Sequence, residues 1–516
     1  MSRRRRAALL LPVLALAATT ACSAGPSTRP VIAVHGDEGG PTTAAPPSGT
    51  QPIPPLEEYQ EGSLAWAPCT DTTRLRMGDR APDGGQDYEC ARMPVVLDSP
   101  SRPGRGTLNL ALLRVGDGRT PLVVVGDPGG EPGTLRAARL AASLPPELLD
   151  AFTLIGLDRR GTGKSDGVQC VPAATRADIL EFDPADAQQD DLLDAVGEAS
   201  QECVLDLENR LTALDSWRTA ADLDRLRDNL GVSRLNAIGL GDGSRVLTIY
   251  ASRFPEHVGR VVLDGLPDPT TDVMASAEAR AVAAEKTFDA FARDCVVRSC
   301  SLGADPKAAL LGLVDRVRSS PVRGEELDLT PGTVLNAVLT GLADREHWPE
   351  LGDAIGKAGS GDASGLLALM SPLVTDLDDN PPRLDATIVT TCNDTATRIP
   401  PERVATIGED WADKHPLFGA VFARQLLVCG PWPVPVQTKI EPVTSAPPVL
   451  VLSTADDPVT PGQGTERAAQ QLPEGVVVSW QGGGHGALTR SECATRAASG
   501  FLTDGRTPKS GTVCPP

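Results

Sequence analysis

The feature that most constrains the fold of this chain is a short stretch in which an apolar run meets a cluster of glycines. Residues 235–240 read Leu-Asn-Ala-Ile-Gly-Leu, and Gly-Asp-Gly-Ser follows at once. The apolar run predicts a buried strand, and a helix is expected to begin after the turn. Gly239 and Gly243 are small enough for strand and helix to pack closely around a sharp turn. The stretch therefore predicts a strand, a tight turn and a helix of an α/β protein.

This arrangement is typical of the nucleophile elbow of α/β-hydrolases, which carries the pattern Gly-x-Ser-x-Gly. The third position of the pattern projects the nucleophile into the active site. In this chain the first and fifth positions are Gly239 and Gly243, but the third is Gly241, which has no side chain. The same five residues thus predict a hydrolase fold and argue against ordinary serine-hydrolase chemistry.

Length and composition are consistent with a large α/β protein. The 516 residues suffice for a large core and an insertion, and the 51 glycines and 46 prolines suit a loop-rich fold better than a helical bundle. The net charge is −20 and no basic stripe is present. Nucleic acid is therefore not expected as a partner.

The N-terminus has the pattern of an export signal. Arg3 to Arg6 are positively charged, and the apolar run that follows from Ala7 is shorter than a membrane span. Small residues precede Cys22, as in a bacterial lipobox, in which this cysteine is lipidated and becomes the mature N-terminus. We expect residues 1–21 to be a lipoprotein signal peptide and Cys22 to anchor the protein to the outer face of the cell membrane. A plain secretory signal with an incidental cysteine is the alternative.

Cysteine usage also indicates an oxidising compartment. Without Cys22, ten of the eleven cysteines remain, an even number. Pairing between sequence neighbours would close short loops and predicts five disulfides: Cys69–Cys90, Cys170–Cys203, Cys295–Cys300, Cys392–Cys429 and Cys493–Cys514. The cysteines and histidines do not show the spacing of a zinc site, so no metal and no cofactor are expected.

The chain divides by composition into five segments. After the signal peptide, residues 22–61 are rich in Pro, Thr, Ser and Gly and predict a disordered tether. Short apolar runs alternating with helical patterns predict the first part of the core over 62–269. Helical patterns dominate 270–385, as expected of an inserted cap. Strands are predicted to return at 386–389 and beyond, so 386–516 would complete the core.

An acid and a histidine follow the last predicted strands. Asp457 comes just after the apolar run that ends near Leu452, and His485 comes just after the next run, among glycines. In α/β-hydrolases the triad runs in the order nucleophile, acid, histidine, and the last two lie on such loops. The pair therefore predicts the remnant of a triad. Individually, Asp457 could be a turn residue that caps a helix, and His485 a solvated loop histidine.

The oxyanion hole of such a site combines two backbone amides. One belongs to the residue after the nucleophile, here Asp242. The other belongs to a glycine-rich loop after an early strand, for which Gly129 and Gly130 are the candidates. A Pro/Gly surface turn is the alternative for this loop. Cys392 is a conceivable thiol nucleophile, but its distance in sequence from the elbow favours a disulfide.

Several further motifs resemble those of secreted and lipid-anchored actinobacterial α/β-hydrolases of the tripeptidyl aminopeptidase and proline iminopeptidase type. The resemblance covers residues 62–516. Its motifs are Pro94–Asp98, Asp127–Gly130, Leu157–Asp166, Asp222–Arg227, Phe254–Gly265, Cys392–Asp394, Cys429–Pro433 and Asp457–Pro461. It implies an α/β-hydrolase fold with a mostly parallel sheet and an inserted helical cap. It also implies cleavage of peptides from a free N-terminus by a Ser-Asp-His triad.

Carried over to this chain, the resemblance assigns the acid to Asp457, the base to His485 and the nucleophile to Gly241. The chain departs from the pattern at Gly241, at Asp242, whose carboxylate would oppose an oxyanion, and at Glu131, which is inserted in the glycine loop. We expect a degenerate triad, impaired catalysis and a pocket that binds a peptide or a small molecule. The alternatives are an active peptidase or esterase with an unusual nucleophile, such as Asp242 or Ser244, and a structural envelope lipoprotein with a relic pocket.

Overall fold

The fold is described from a computed structural model. The structure describes residues 51–60, 63–78, 81–82, 85–376, 380–433 and 440–516. The predicted signal peptide and Cys22 lie outside these residues. Among the described helices, none combines the length and the apolar character that crossing a membrane requires.

The described residues build one ten-stranded sheet in the order β1-β2-β3-β5-β4-β6-β7-β8-β9-β10. The strands are β1 Ala67–Pro68, β2 Glu89–Val96, β3 Thr107–Val115, β4 Thr120–Val125, β5 Phe152–Leu157, β6 Leu235–Leu240, β7 Val258–Asp264, β8 Val449–Asp456, β9 Gly475–Gly483 and β10 Thr512–Cys514. Along the sheet, the seven strands β5, β4, β6, β7, β8, β9 and β10 pair in parallel. The strands β1, β2, β3 and β5 pair antiparallel. Every residue of β4 to β7 is buried, because helices cover both faces of a parallel sheet.

Helices connect the parallel strands and form the outer layers. The helices are α1 Thr70–Met77, α2 Gly133–Ser143, α3 Pro146–Ala151, α4 Ala173–Glu181, α5 Asp190–Leu207, α6 Ser216–Asn229, α7 Asp242–Arg253, α8 Val273–Val297, α9 Pro306–Ser319, α10 Pro331–Leu342, α11 Trp348–Gly359, α12 Ser364–Val374, α13 Arg383–Asn393, α14 Pro401–Lys414, α15 Gly419–Gln425, α16 Gly462–Ala469 and α17 Glu492–Asp504. Residues of α6, α7 and α16 pack on one face of the sheet, and residues of α2, α3 and α17 pack on the other. This layering, with the sharp turn after β6, is the α/β-hydrolase fold.

A helical insertion separates β7 from β8, as the sequence predicts for a cap. Its helices α8 to α12, α14 and α15 form a separate apolar core together with residues of α4 and α5. Ile388 and Val389 of α13 pack on the core of the sheet instead. The insertion is longer than predicted, because its helices continue from Val273 to Gln425 rather than ending at 385.

The predicted strand at 386–389 is wrong, because these residues lie inside helix α13. The helix buries Ala386, Val389, Thr390 and Asn393, which share one face at helical spacing. Short apolar runs rich in β-branched residues fit either a strand or a buried helix, and the packing around α13 selects the helix. The buried carboxylate of Asp385 also fixes its first turn, since it accepts a hydrogen bond from the backbone N–H of Val171 at 2.8 Å.

Part of the predicted tether is also held on the core. The backbone carbonyl of Pro54 accepts a hydrogen bond from Arg260 Nε at 3.0 Å, and the backbone N–H of Tyr59 donates to the backbone carbonyl of Arg119 at 3.0 Å. Ile53 packs against the apolar core on the α2 side of the sheet. Residues 51–60 therefore belong to the folded domain rather than to a disordered tether.

All five predicted disulfides are confirmed. The structure joins Cys69–Cys90, Cys170–Cys203, Cys295–Cys300, Cys392–Cys429 and Cys493–Cys514. The pairs are between 5 and 37 residues apart in sequence. Each disulfide closes a local loop, which is why neighbour pairing predicted the pattern, and their presence fits an extracytoplasmic location.

Candidate active site

The turn after β6 has the geometry of a nucleophile elbow, although its central residue is a glycine. Gly241 has φ 56° and ψ −119°, a conformation that favours glycine and lies between strand β6 and helix α7. Its backbone N–H donates to the carbonyl of Asp264 at 3.0 Å. A Cβ at Gly243 would overlap the backbone of Val125, so the close approach of strand and helix requires the small residue. The backbone of the elbow is thus retained without its side chain.

Asp457 and His485 lie at the carboxyl edge of the sheet and contact each other. Asp457 follows β8 directly, and His485 Nδ1 lies 3.1 Å from Asp457 Oδ1 and 3.0 Å from Oδ2. The carboxylate is fully buried and also accepts hydrogen bonds from the backbone N–H groups of Val459 and Thr460 at 2.8 and 2.9 Å. These bonds fix the orientation of the carboxylate, and the carboxylate in turn orients the imidazole. The insertion also holds the loop that carries His485, because the backbone N–H of His485 donates to the carbonyl of Ala343, just after α10, at 2.8 Å.

The other face of the imidazole contacts a second carboxylate, which belongs to Asp127. Asp127 comes two residues after β4, in the predicted oxyanion loop, and its Oδ2 lies 3.0 Å from His485 Nε2. Its Oδ1 accepts the backbone N–H of Asp242 at 2.6 Å. The sequence predicts an empty gap between His485 and Gly241 that water or a ligand would fill. That prediction is wrong, because the carboxylate of Asp127 fills the gap.

The position of Asp127 can be compared with that of the missing side chain. A Cβ built on Gly241 would lie 2.8 Å from Asp127 Oδ2 and 2.9 Å from Cγ, and closer still to Oδ1. A serine at this position could not coexist with Asp127 as it stands. One carboxylate thus occupies the nucleophile position, bonds to the histidine and covers the first amide of the oxyanion hole.

The two carboxylates keep His485 protonated. Burial alone would lower the pKa of His485, but Asp457 and Asp127 outweigh burial by charge and by hydrogen bonding and raise it to about 10. Burial would raise the pKa of Asp457, but the imidazolium and the backbone hydrogen bonds hold it below its ordinary value. The three side chains therefore form an Asp–imidazolium–Asp array at neutral pH. An imidazolium has no lone pair with which to accept a proton from a nucleophile.

The side chain of Asp242 does not face the oxyanion position, contrary to the expectation from the sequence. Its carboxylate lies 2.7 Å from Arg159 Nη1 and 2.6 Å from Arg245 Nε. Ser216 Oγ accepts from both arginines, at 2.8 and 3.0 Å, and itself donates to Asp394 at 2.7 Å. Burial would raise the pKa of Asp242, but the two guanidinium groups hold it well below its ordinary value. Asp242 thus stabilises a buried charge network beneath the elbow.

The glycine loop that carries Asp127 is packed in place from two sides. A Cβ at Gly129 would lie 2.6 Å from Thr387 Oγ1 of α13, so the insertion presses directly on the loop. The N–H of Gly130 donates to the carbonyl of Asp127 at 3.2 Å, within the loop itself. Glu131, the inserted residue, forms a salt bridge with Arg139 at 2.5 Å. These contacts hold Asp127 in position and engage the amide of Gly130, one of the two predicted oxyanion donors, within the loop.

The other candidate nucleophiles lie elsewhere. Ser244 is fully buried, and within the described residues its hydroxyl has no hydrogen-bond partner, so it does not contact His485. Cys392 is disulfide-bonded to Cys429. Asp127 was not predicted as a functional residue from the sequence, although it lies in the predicted oxyanion loop and in one of the family motifs. The available signal was an acid two residues after a buried strand, in the loop that faces the elbow.

The fold and the elbow define the class: an α/β-hydrolase. Residues 415–514 match the family described as TAP-like protein. Serine protease Hip1 of Mycobacterium tuberculosis (strain ATCC 25618 / H37Rv) is 28% identical over 486 residues, which cover 87% of this chain and 91% of that protein. Tripeptidyl aminopeptidase of Streptomyces lividans is 24% identical, covering 83% and 84%. Carboxylesterase B of the same Mycobacterium tuberculosis strain is 26% identical, covering 92% and 94%. These similarities support an α/β-hydrolase, peptidase-like family.

Proposed function

We propose that this chain is an extracytoplasmic, lipid-anchored member of a peptidase-like α/β-hydrolase family that has lost serine acyl transfer and binds a peptide or a small molecule. The observation that carries the proposal is the carboxylate of Asp127 in the nucleophile position. Asp457, His485 and Gly241 are then the remnant of a triad, and Asp127 replaces its first member.

Serine acyl transfer needs a nucleophile, a base and an oxyanion hole, and each is altered at this site. Position 241 offers no hydroxyl group. His485, the base of the resemblance, is an imidazolium held between two carboxylates. The amide of Asp242 is already bonded to Asp127, whose negative charge would also repel a developing oxyanion.

A second candidate function follows from the same contact, since Asp127 could itself be a nucleophile. Its carboxylate would attack the acyl carbon of an ester and form an anhydride, and His485 would give its proton to the departing alkoxide. Neutral His485 would then take a proton from the water that cleaves the anhydride, which regenerates both groups. The 3.0 Å contact between Asp127 and His485 favours this route over Asp242 or Ser244.

Two assays separate these functions. A fluorophosphonate probe should leave the purified protein unlabelled, and labelling that His485→Ala abolishes would contradict the loss of serine chemistry. Hydrolysis of p-nitrophenyl acetate above background, lost in both Asp127→Asn and His485→Gln, would establish the carboxylate route. Absence of turnover in the wild type would exclude it.

Binding is tested separately, by thermal unfolding with a panel of short peptides. A ligand that binds only the folded protein raises the melting temperature, by an amount that grows with its concentration above the dissociation constant. Stabilisation by at least one peptide supports a binding protein. No stabilisation by any peptide would favour a structural envelope protein whose pocket is a relic.

A further inference from the structure

The cap presents a charged side chain that has neither a hydrogen-bond nor an ion-pair partner among the described residues. Arg280 lies on α8, and within the described residues its guanidinium makes no hydrogen bond and no ion pair. Its Nε is buried and lacks any partner. Its contact is with the ring of Phe422 on α15, 4.7 Å from the ring centroid. A guanidinium has five N–H donors, and a buried donor without an acceptor destabilises the folded state.

The helix geometry directs Arg280 toward the site. Arg280 and Thr287 are seven residues apart, so they share one face of α8. Thr287 Oγ1 donates to the backbone carbonyl of Asp456 at 3.1 Å, immediately before the acid Asp457. Burial lowers the pKa of Arg280, and Asp127 and Asp457 act on it electrostatically in the opposite direction. Arg280 thus faces the Asp127–His485–Asp457 array without bonding to it.

A second arginine lies beside the glycine loop that carries Asp127. Arg136 lies in the first turn of α2, just after the glycine loop, and its guanidinium also has no hydrogen bond or ion pair within the described residues. Burial lowers the pKa of Arg136, as does the charge of Arg490, while Glu131, Asp264 and Asp127 act in the opposite direction. Each of these acids bonds to other groups. Glu131 is bound to Arg139, Asp264 accepts the N–H groups of Ala487 and Leu488, and Asp127 bonds to Asp242 and His485.

From this arrangement we infer that the site takes a ligand with a free carboxylate, which Arg280 binds from the cap and Arg136 supports from α2. The inference rests on the proposed binding function and names the chemical class of its ligand. A planar carboxylate can accept two parallel hydrogen bonds from a guanidinium. Such charge-assisted hydrogen bonds are stronger than those between neutral groups. A phosphate dianion fits less well, because Asp127 and Asp457 would repel its second charge more strongly. The C-terminal carboxylate of a short peptide has the required chemistry.

The experiment compares ligands that differ only at the carboxylate. The probes are tri-alanine, tri-alanine amide, butyrate, butyramide and inorganic phosphate, measured by thermal unfolding and calorimetry at constant ionic strength. We expect tri-alanine to bind at least about tenfold more tightly than its amide, a difference of about 1.4 kcal/mol. We expect butyrate to stabilise the protein more than butyramide or phosphate does.

Variants assign this preference to Arg280. Arg280→Gln should abolish the difference between acid and amide, and Arg280→Met should do the same while keeping an apolar stem over Phe422. Arg298→Gln is the matched control, since Arg298 ends the same helix and already pairs with Asp294 at 2.6 Å. Arg280→Met should not lower the melting temperature of the ligand-free protein by more than about a degree, because it loses only the cation–π contact with Phe422 and no hydrogen bond or ion pair among the described residues. A fall of several degrees would show instead that Arg280 has a structural role.

The outcomes separate the inference from the proposed function. Equal binding of tri-alanine and its amide would leave a peptide-binding protein but overturn the carboxylate inference. Preference for butyrate with no peptide bound would retain the carboxylate site and overturn peptide binding. An acid preference that survives Arg280→Met, or stronger stabilisation by phosphate than by butyrate, would also overturn the inference. Absence of binding by every probe would overturn both.

Discussion

The carboxylate of Asp127 lies where a side chain on residue 241 would begin. A Cβ on Gly241 would approach Asp127 Cγ to 2.9 Å, well inside normal contact distance. The two positions are therefore coupled: the glycine makes room for the acid, and the acid contacts His485 and the amide of Asp242. Any change at one position has to be interpreted with the other.

Gly241→Ser alone should not restore serine hydrolysis. The new side chain would collide with Asp127, and His485 would stay protonated between its two acids. Gly241→Ser combined with Asp127→Ala removes both obstacles, because the loop position is vacated and one acid leaves the imidazole. We expect the double variant to react with a fluorophosphonate at least about 100-fold faster than either single variant, as the base and one oxyanion donor become available. Intact-protein mass spectrometry measures the rate.

Gly241→Ser combined with Asp242→Tyr should react more slowly than the Asp127→Ala pair, since it would leave Arg159 and Arg245 without their shared carboxylate. Equal labelling of Gly241→Ser with and without Asp127→Ala would show that Asp127 is no obstacle. Faster labelling of the Asp242→Tyr pair would show that the carboxylate of Asp242 is the greater obstacle.

His485 should remain an imidazolium well above neutral pH. Its ordinary pKa is about 6.5, and the structure raises it to about 10. The pKa of His485 is higher in the folded state than in the unfolded state, so protonation of His485 stabilises the fold. This stabilisation is complete below about pH 6.5 and is lost as the pH rises through about 10. Nitrogen NMR of the ring at pH 8 should show both nitrogens protonated. Asp127→Asn should lower the pKa, and a neutral ring at pH 8 in the wild type would contradict the array.

Asp242→Ala should destabilise the protein far more than removal of an exposed acid does. Arg159 is only 4% exposed in its side chain, and the change leaves it and Arg245 without the carboxylate they share. We expect a loss of about 3–5 kcal/mol in the free energy of unfolding. Asp228→Ala is the matched control, because its ion pair with Arg225 is more than half exposed, and it should cost less than about 1 kcal/mol. Urea unfolding measures the free energy of unfolding of both variants. Equal losses would mean that the buried network stabilises the fold no more than an exposed ion pair does.

Replacement of Cys22 by Ala should release the protein from the membrane fraction. The prediction rests on the lipobox pattern, since Cys22 lies outside the residues that the structure describes. One acyl chain binds a membrane only weakly, and stable anchoring requires the further chains of a bacterial lipoprotein. Fractionation with immunodetection decides between lipoprotein and secreted protein. A Cys22→Ala variant that stays in the membrane fraction would rule out the lipid anchor.

Much of the site was predictable because it depends on local patterns. The elbow requires small residues because strand β6 and helix α7 pack closely there. Asp457 and His485 each follow a buried strand. Parallel strands place their carboxyl ends at one edge, so residues in these positions meet whatever the rest of the fold does. The failure at 386–389 has the opposite cause. A four-residue apolar run carries no period of its own, and only its neighbours decide between helix and strand.

The sequence by itself determined the α/β-hydrolase class, the glycine at the centre of the elbow, the five disulfides and the order of Asp457 and His485. Only the tertiary structure decided which side chain lies beside that glycine. Asp127 and Gly241 are 114 positions apart, and nothing local to either residue indicates that one fills the space of the other. The orientation of the Asp242 side chain could not be predicted for the same reason. Its partners Arg159 and Arg245 come from a distant loop and from the next turn of α7. Ion pairs form between opposite charges that are close in space. Which charged side chains are close depends on how the chain packs, not on their positions along the sequence.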